Sequence, residues 1–121
     1  KVDEHSNLNA SRHYLLARHE IATNLEEICQ ISQRVLKSNG RLTMVHRPER
    51  FLDIIETMTA HNLAPKRIQF VYPKANRKAN MLLIEAIKDG SRDGLKILPP
   101  LFIHNQDGSY TPEIHEIYYG K

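Results

Sequence analysis

A single cysteine, Cys29, and no tryptophan stand in a chain of 121 residues. One thiol cannot close an internal disulfide, so the fold rests on packing, as expected in a reducing compartment. No apolar run approaches the roughly 20 residues of a membrane-spanning helix, and no signal peptide opens the sequence. A cytoplasmic location without a membrane partner is the expectation. Glycines number 5, and none recur at the spacing of a phosphate-cradling loop or of Gly-x-Gly-x-x-Gly.

A complete catalytic or metal-binding set is missing too. His19-Glu20 has no second histidine at the spacing of a zinc protease, and His104 with His115 lacks a third ligand. Cys29 falls on the apolar face of a helical pattern and reads as a packed thiol rather than a nucleophile. Glu85 lies in a strand pattern and reads as an outward or pair-satisfied carboxylate, not a general base. Tyr118-Tyr119 reads as packing or interface rather than a stacking platform. No catalytic residue and no metal site are expected from this chain.

What remains has globular proportions, with 40% hydrophobic and 26% charged residues. The length fits one domain or part of one. Residues 1–14 read as a loop, 15–94 as a core, and 95–121 as a C-terminal arm. A net charge of +3 with 7 histidines exerts only a modest pull on polyanions.

The stretch from Asn39 to Arg50 reads as a helix stop, a buried strand and a helix start. Gly40 can adopt the left-handed conformation that closes a helix, and Lys37 sits where a cation favours its negative end. Leu42 to Val45 is apolar but for Thr43, which suits a strand covered on both faces. Pro48 supplies the fixed φ of a first helical turn, and Glu49 complements the dipole.

Around this stretch, Ile21, Leu25, Ile28, Ser32 and Val35 recur at helical spacing and predict one amphipathic helix from about Tyr14 to Ser38. Phe51, Ile54, Ile55 and Met58 predict a second, from Pro48 to about His61, with Asn62 as a left-handed stop and Pro65 barring continuation. Arg67–Tyr72 and Met81–Ile87 read as strands. The segment Pro73 to Asn80 is too short for a parallel crossover, so these strands should pair antiparallel. Pro99-Pro100 restricts Leu95 to His104 to an edge strand or extended arm. Thr111-Pro112 can cap a last short helix through Tyr118. The fold class is α/β: helix-strand-helix-strand, an antiparallel strand, and an arm.

In open α/β sheets ligands collect outside the carboxyl ends of the parallel strands. His46, Arg47 and Arg50 follow the first strand and Lys74, Arg77 and Lys78 the second, so both groups belong to that end. Lys88, Arg92 and Asp93 belong to the other. Among the two first loops the only acid is Glu49. Such a rim neutralises phosphates, and its arginines can stack on unpaired RNA bases. A solvated basic hairpin without a ligand is the competing reading.

The wording of the chain points further. Ala17-Arg18-His19-Glu20-Ile21, Gly40-Arg41-Leu42-Thr43-Met44-Val45-His46-Arg47-Pro48-Glu49-Arg50-Phe51, Pro65-Lys66-Arg67-Ile68, Asn80-Met81-Leu82-Leu83-Ile84-Glu85 and Asp107-Gly108-Ser109-Tyr110-Thr111-Pro112-Glu113 resemble the carboxy-terminal half of the bacterial tRNA1(Val) adenine N6-methyltransferases. These are class I AdoMet-dependent enzymes of the Asn-Pro-Pro-Tyr type, and the likeness covers nearly the whole chain. It implies the C-terminal half of a Rossmann-like sheet, with the cofactor site and catalytic tetrapeptide in an upstream half. S-adenosyl-L-methionine is then the cofactor of the parent protein, and this segment alone should bind none and be inactive. The resemblance further implies tRNA as partner and makes residues 1–18 a loop bordering the target base. Arg12, His13 and Arg18 thereby join His46, Arg47, Arg50, Lys74, Arg77 and Lys78 as candidate RNA contacts.

Strand 42–46 would pair with the fourth strand of that missing half. Without it an apolar edge is expected, open to the missing half or to self-association. The alternative function is a self-standing RNA-binding or dimerisation module without catalysis.

Overall fold

The computed structural model describes residues 13–18 and 24–120. In chain order these form β1 (Tyr14–Arg18), α1 (Leu25–Val35), β2 (Arg41–His46), a 3₁₀ turn (Pro48–Arg50) running into α2 (Phe51–Ala60), β3 (Leu63–Tyr72), β4 (Met81–Lys88), the short β5 (Lys96–Ile97) and β6 (Leu101–Phe102), and α3 (Pro112–Tyr119).

The strands make one sheet in the order β1-β2-β4-β3-β5, with β6 also paired to β3. β1 runs parallel to β2, and β4 runs antiparallel to both β2 and β3. β2 and β3 therefore point the same way. Helix α2 carries the chain past one strand position, and the hairpin return β4 fills that slot. The hairpin follows from the short Pro73–Asn80 connection and closes with the Asn80 N–H donating to the Val71 carbonyl at 2.9 Å.

Period-two alternation decides which side of the sheet is packed. Ala17, Met44, Ile84 and Ile68 lie in one row across four strands, and Leu15, Leu42 and Ala86 in another. Both rows meet Leu25, Cys29 and Leu36 of the α1 region and Ile54 and Met58 of α2 in a single core. Burying a side chain such as Ile54 contributes on the order of 2 kcal/mol. The opposite row, Leu16, Thr43, Glu85 and Arg67, is half-buried or exposed, so β2 is covered fully on one face only. Glu85 is satisfied there by Arg41 at 3.6 Å.

Several expectations are corrected. Residues 14–18 are a strand, and the helix is shorter than 14–38, beginning at Leu25 with Asn24 as its cap, whose side chain accepts the Glu27 N–H at 2.7 Å. The flank of strand 42–46 is consequently covered by β1, so the apolar edge expected there is not open, and among the described residues β1 is the outermost strand on that side. The left-handed residue is Asn39 (φ 72°) rather than Gly40, and α1 ends earlier, at Val35. Arg34 lies in its last turn, and the cation that bonds its end carbonyls is Lys88, arriving from β4. The Lys88 ammonium donates to the Gln33 carbonyl and, at 2.7 Å, to the Leu36 carbonyl. β3 starts at Leu63 and accommodates Pro65 through a register shift before Arg67.

Other readings hold. Asn62 is left-handed (φ 60°). Pro99-Pro100 splits the edge into β5 and β6. Thr111 caps α3, accepting the Ile114 N–H.

Candidate nucleic-acid interface

Because β1, β2 and β3 run in one direction, Arg18, His46 and Tyr72 all mark the same end of the sheet. The loops 47–50 and 73–80 therefore share a rim. Arg47, Arg77 and Lys78 are exposed and make no side-chain hydrogen bond or ion pair among the described residues. Lys74 is half-buried, and its main-chain carbonyl accepts the Arg77 N–H at 3.3 Å. Asn76 at φ 71° turns the hairpin so that Arg77 and Lys78 project from its tip.

Two rim candidates are placed differently from the rest. His46 belongs to the packed face, in a row with Leu82 and Phe70, and is only 9% exposed. Its Nδ1 accepts the Arg47 N–H at 2.8 Å, which fixes the ring and the start of the loop. Arg50 is held by Asp53, Nε to Oδ2 at 3.0 Å. Beside this pair a groove of about 540 Å³ opens between the starts of α1 and α2, and Glu26, Glu27, Asp53 and Glu56 line it with Arg50. That groove repels phosphate. Arg50 thus neutralises acid rather than extending the rim.

The remaining candidates separate as well. Arg12 lies outside the described residues. His13 is exposed at the amino end of β1, its carbonyl accepting the Arg41 N–H at 2.9 Å, opposite the rim. The backbone of Arg18 is at the rim end, paired with Val45.

Sequence reading missed the contribution of the arm. After β6 the chain returns across the hairpin: the His104 N–H donates to the Pro73 carbonyl at 2.9 Å and the Gln106 side chain to the Ala75 carbonyl at 3.2 Å. The Asp107 carboxyl is held below its ordinary range by the Ser109 hydroxyl and N–H and, less strongly, by the Lys74 charge. The signal available in the sequence was the Gln106-Asp107-Gly108-Ser109 turn, which reverses the chain but does not say onto what.

Burial, followed by the charge of Glu26, pushes the Cys29 thiol up to about 12, so it is no nucleophile at neutral pH. Among the described residues no group of three His, Cys, Asp or Glu is arranged to hold a metal, and no helix is long and apolar enough to cross a membrane. The described rim also does not fit S-adenosyl-L-methionine. The loop after β2 opens on Arg47-Pro48 without glycine, and its first N–H is taken by His46.

The sequence matches no protein family profile and no curated protein. Its fold does have solved counterparts. A predicted O-methyltransferase from Agrobacterium tumefaciens superposes with a TM-score of 0.77 at 21% identity, covering 98% of this chain and 59% of its own. The M1.HpyAVI–SAM complex matches with a TM-score of 0.50 at 11% identity, over 84% of this chain and 64% of its own. A protein from Thermus thermophilus, provisionally named a DNA modification methylase, matches with 0.51 at 17% identity, over 94% and 69%. The chain has the α/β fold of class I methyltransferases and spans less than two thirds of the first two of these structures.

Proposed function

We propose that this chain is the C-terminal part of an AdoMet-dependent adenine N6-methyltransferase acting on tRNA, in which it completes the sheet and presents a basic rim to the RNA. The observation that carries the reading is topological. An antiparallel β4 sits between parallel β2 and β3, and the cations Arg47, Arg77 and Lys78, unpaired among the described residues, stand at the carboxyl end, where ligands of such sheets collect. A bound SAM in the M1.HpyAVI complex supports the same cofactor for the parent protein. When bound, that cofactor supplies the methyl group. The work of this chain is to hold phosphates so that a target adenine can be presented to the complementary half, as enzymes that act on a base require.

A second reading, a self-standing RNA-binding module, is favoured by one observation: β1 covers the flank of β2 that an upstream strand would need. One experiment separates the two. The 121-residue chain and a form extended upstream of Lys1 are each incubated with labelled AdoMet and tRNA, and the RNA is digested. N6-methyladenosine from the extended form alone is the expected result. No transfer by the extended form, or methylation at another atom, would overturn the proposal.

A further inference from the structure

We propose that the C-terminal arm carries a stacking platform for unpaired nucleobases, with Tyr110 and Tyr118 receiving the bases of a single-stranded segment whose phosphates lie on Lys74, Arg77 and Lys78. The inference rests on the nucleic-acid reading of the rim and adds to it a contact that is not electrostatic.

Three tyrosines cluster on this short arm and remain open to solvent: Tyr110 is 39% exposed, and Tyr118 and Tyr119 are 63% each. They are nevertheless held. The His104 ring stacks on Tyr110 at 5.3 Å with 16° between planes, and Tyr118 meets Tyr110 edge-on at 5.2 Å. Such pairs fix ring orientation. The base beneath them is anchored, since Ile114 and Thr111 are buried and the Thr111 hydroxyl donates to the Phe102 carbonyl. Rigid, exposed aromatic faces of this kind bind any base, because every base presents a π-face.

Position argues for nucleic acid over protein. The His104 and Gln106 bonds to Pro73 and Ala75 set the platform against the cationic hairpin, so rings and phosphate-binding charges lie side by side. The acids nearby do not cancel this. Asp107, held ionised by Ser109, offsets part of the Lys74 charge but leaves those of Arg77 and Lys78. Helical spacing puts Glu113 and Glu116 on the far side of α3 from Ile114 and Tyr118. Exposed Ile117, 65% accessible, is the feature that a protein interface would use instead.

The test measures binding of labelled oligouridylate, oligothymidylate and an abasic oligomer to the 121-residue chain by fluorescence anisotropy across a salt series. Tyr118→Ala should weaken oligouridylate binding about tenfold without changing the slope of log affinity against log salt. Tyr118→Phe should bind like the parent, and the abasic oligomer should bind the parent at least as weakly as oligouridylate binds Tyr118→Ala. Arg77→Ala should instead lower the slope by about 0.7. A preference for either of the two oligomers supports the platform. Absence of any oligonucleotide binding at low salt removes the rim reading and the platform together. Binding with a normal salt slope that ignores both Tyr118→Ala and base removal overturns the platform alone. Light scattering in which Tyr118→Ala converts an associated chain to monomer, with RNA affinity unchanged, also overturns it and assigns the patch to protein contact.

Discussion

At the amino end of β3, two lysines are wired into the fold. Lys88 bridges the Gln33 and Leu36 carbonyls at the end of α1, and Lys66 donates to Ser91 at 3.2 Å and to the Asp93 carbonyl. At the carboxyl end, Arg47, Arg77 and Lys78 face solvent without partners among the described residues. Both ends carry cations, yet Lys66 and Lys88 cap and cross-link while Arg47, Arg77 and Lys78 make no side-chain bond among the described residues. A helix terminus leaves carbonyls that need donors, and whichever cation the topology brings there is withdrawn from binding. Counting charges in loops therefore overstates a binding surface unless the capping cations are first removed.

This contrast can be broken at either end. The largest effect is expected at the rim, where Arg47→Glu with Arg77→Glu should lower tRNA affinity roughly 100-fold at low salt while leaving the thermal midpoint unchanged. Equal affinity in a filter-binding titration would end the assignment of the rim. Next comes Lys88→Met, which strands two part-buried carbonyls and should cost about 1.5–3 kcal/mol in urea unfolding. RNA affinity should not move, and a parallel loss of affinity would show that the two ends are not separable.

The smallest effect at neutral pH is expected between the ends, at Cys29. Its thiol is raised from an ordinary 9.0 to about 12 by burial and Glu26, so the folded form stays protonated where the unfolded form ionises. Stability is then fully present below pH 9 and lost as pH rises toward 12, at about 1.4 kcal/mol for each pH unit. Cys29→Ala should remove that part of the alkaline slope, and superimposable pH profiles of the two proteins would refute it.

Much of the architecture was legible locally. Phe51, Ile54 and Met58 mark α2 because a helix repeats its buried face every third or fourth residue, and the short Pro73–Asn80 link admits only a hairpin. Thr111-Pro112 announces α3 because cap and first-turn chemistry act within four residues. The carboxyl-end placement of Arg47, Arg77 and Lys78 followed from strand direction alone.

What escaped was non-local. Tyr14–Arg18 has no periodicity of its own that demands a strand; the open hydrogen-bonding edge of β2 makes it one. Lys88 gives no sign in sequence that it caps a helix more than fifty positions away, and His46 and Arg50 looked like rim residues until the packed row and Asp53 claimed them. The chain by itself determined the helix faces, the turns and the hairpin, because these depend on backbone chirality and near neighbours. Only the tertiary structure decided which cations are free and which rings stand beside them, because ladders, caps and stacked aromatics join groups that the chain keeps far apart.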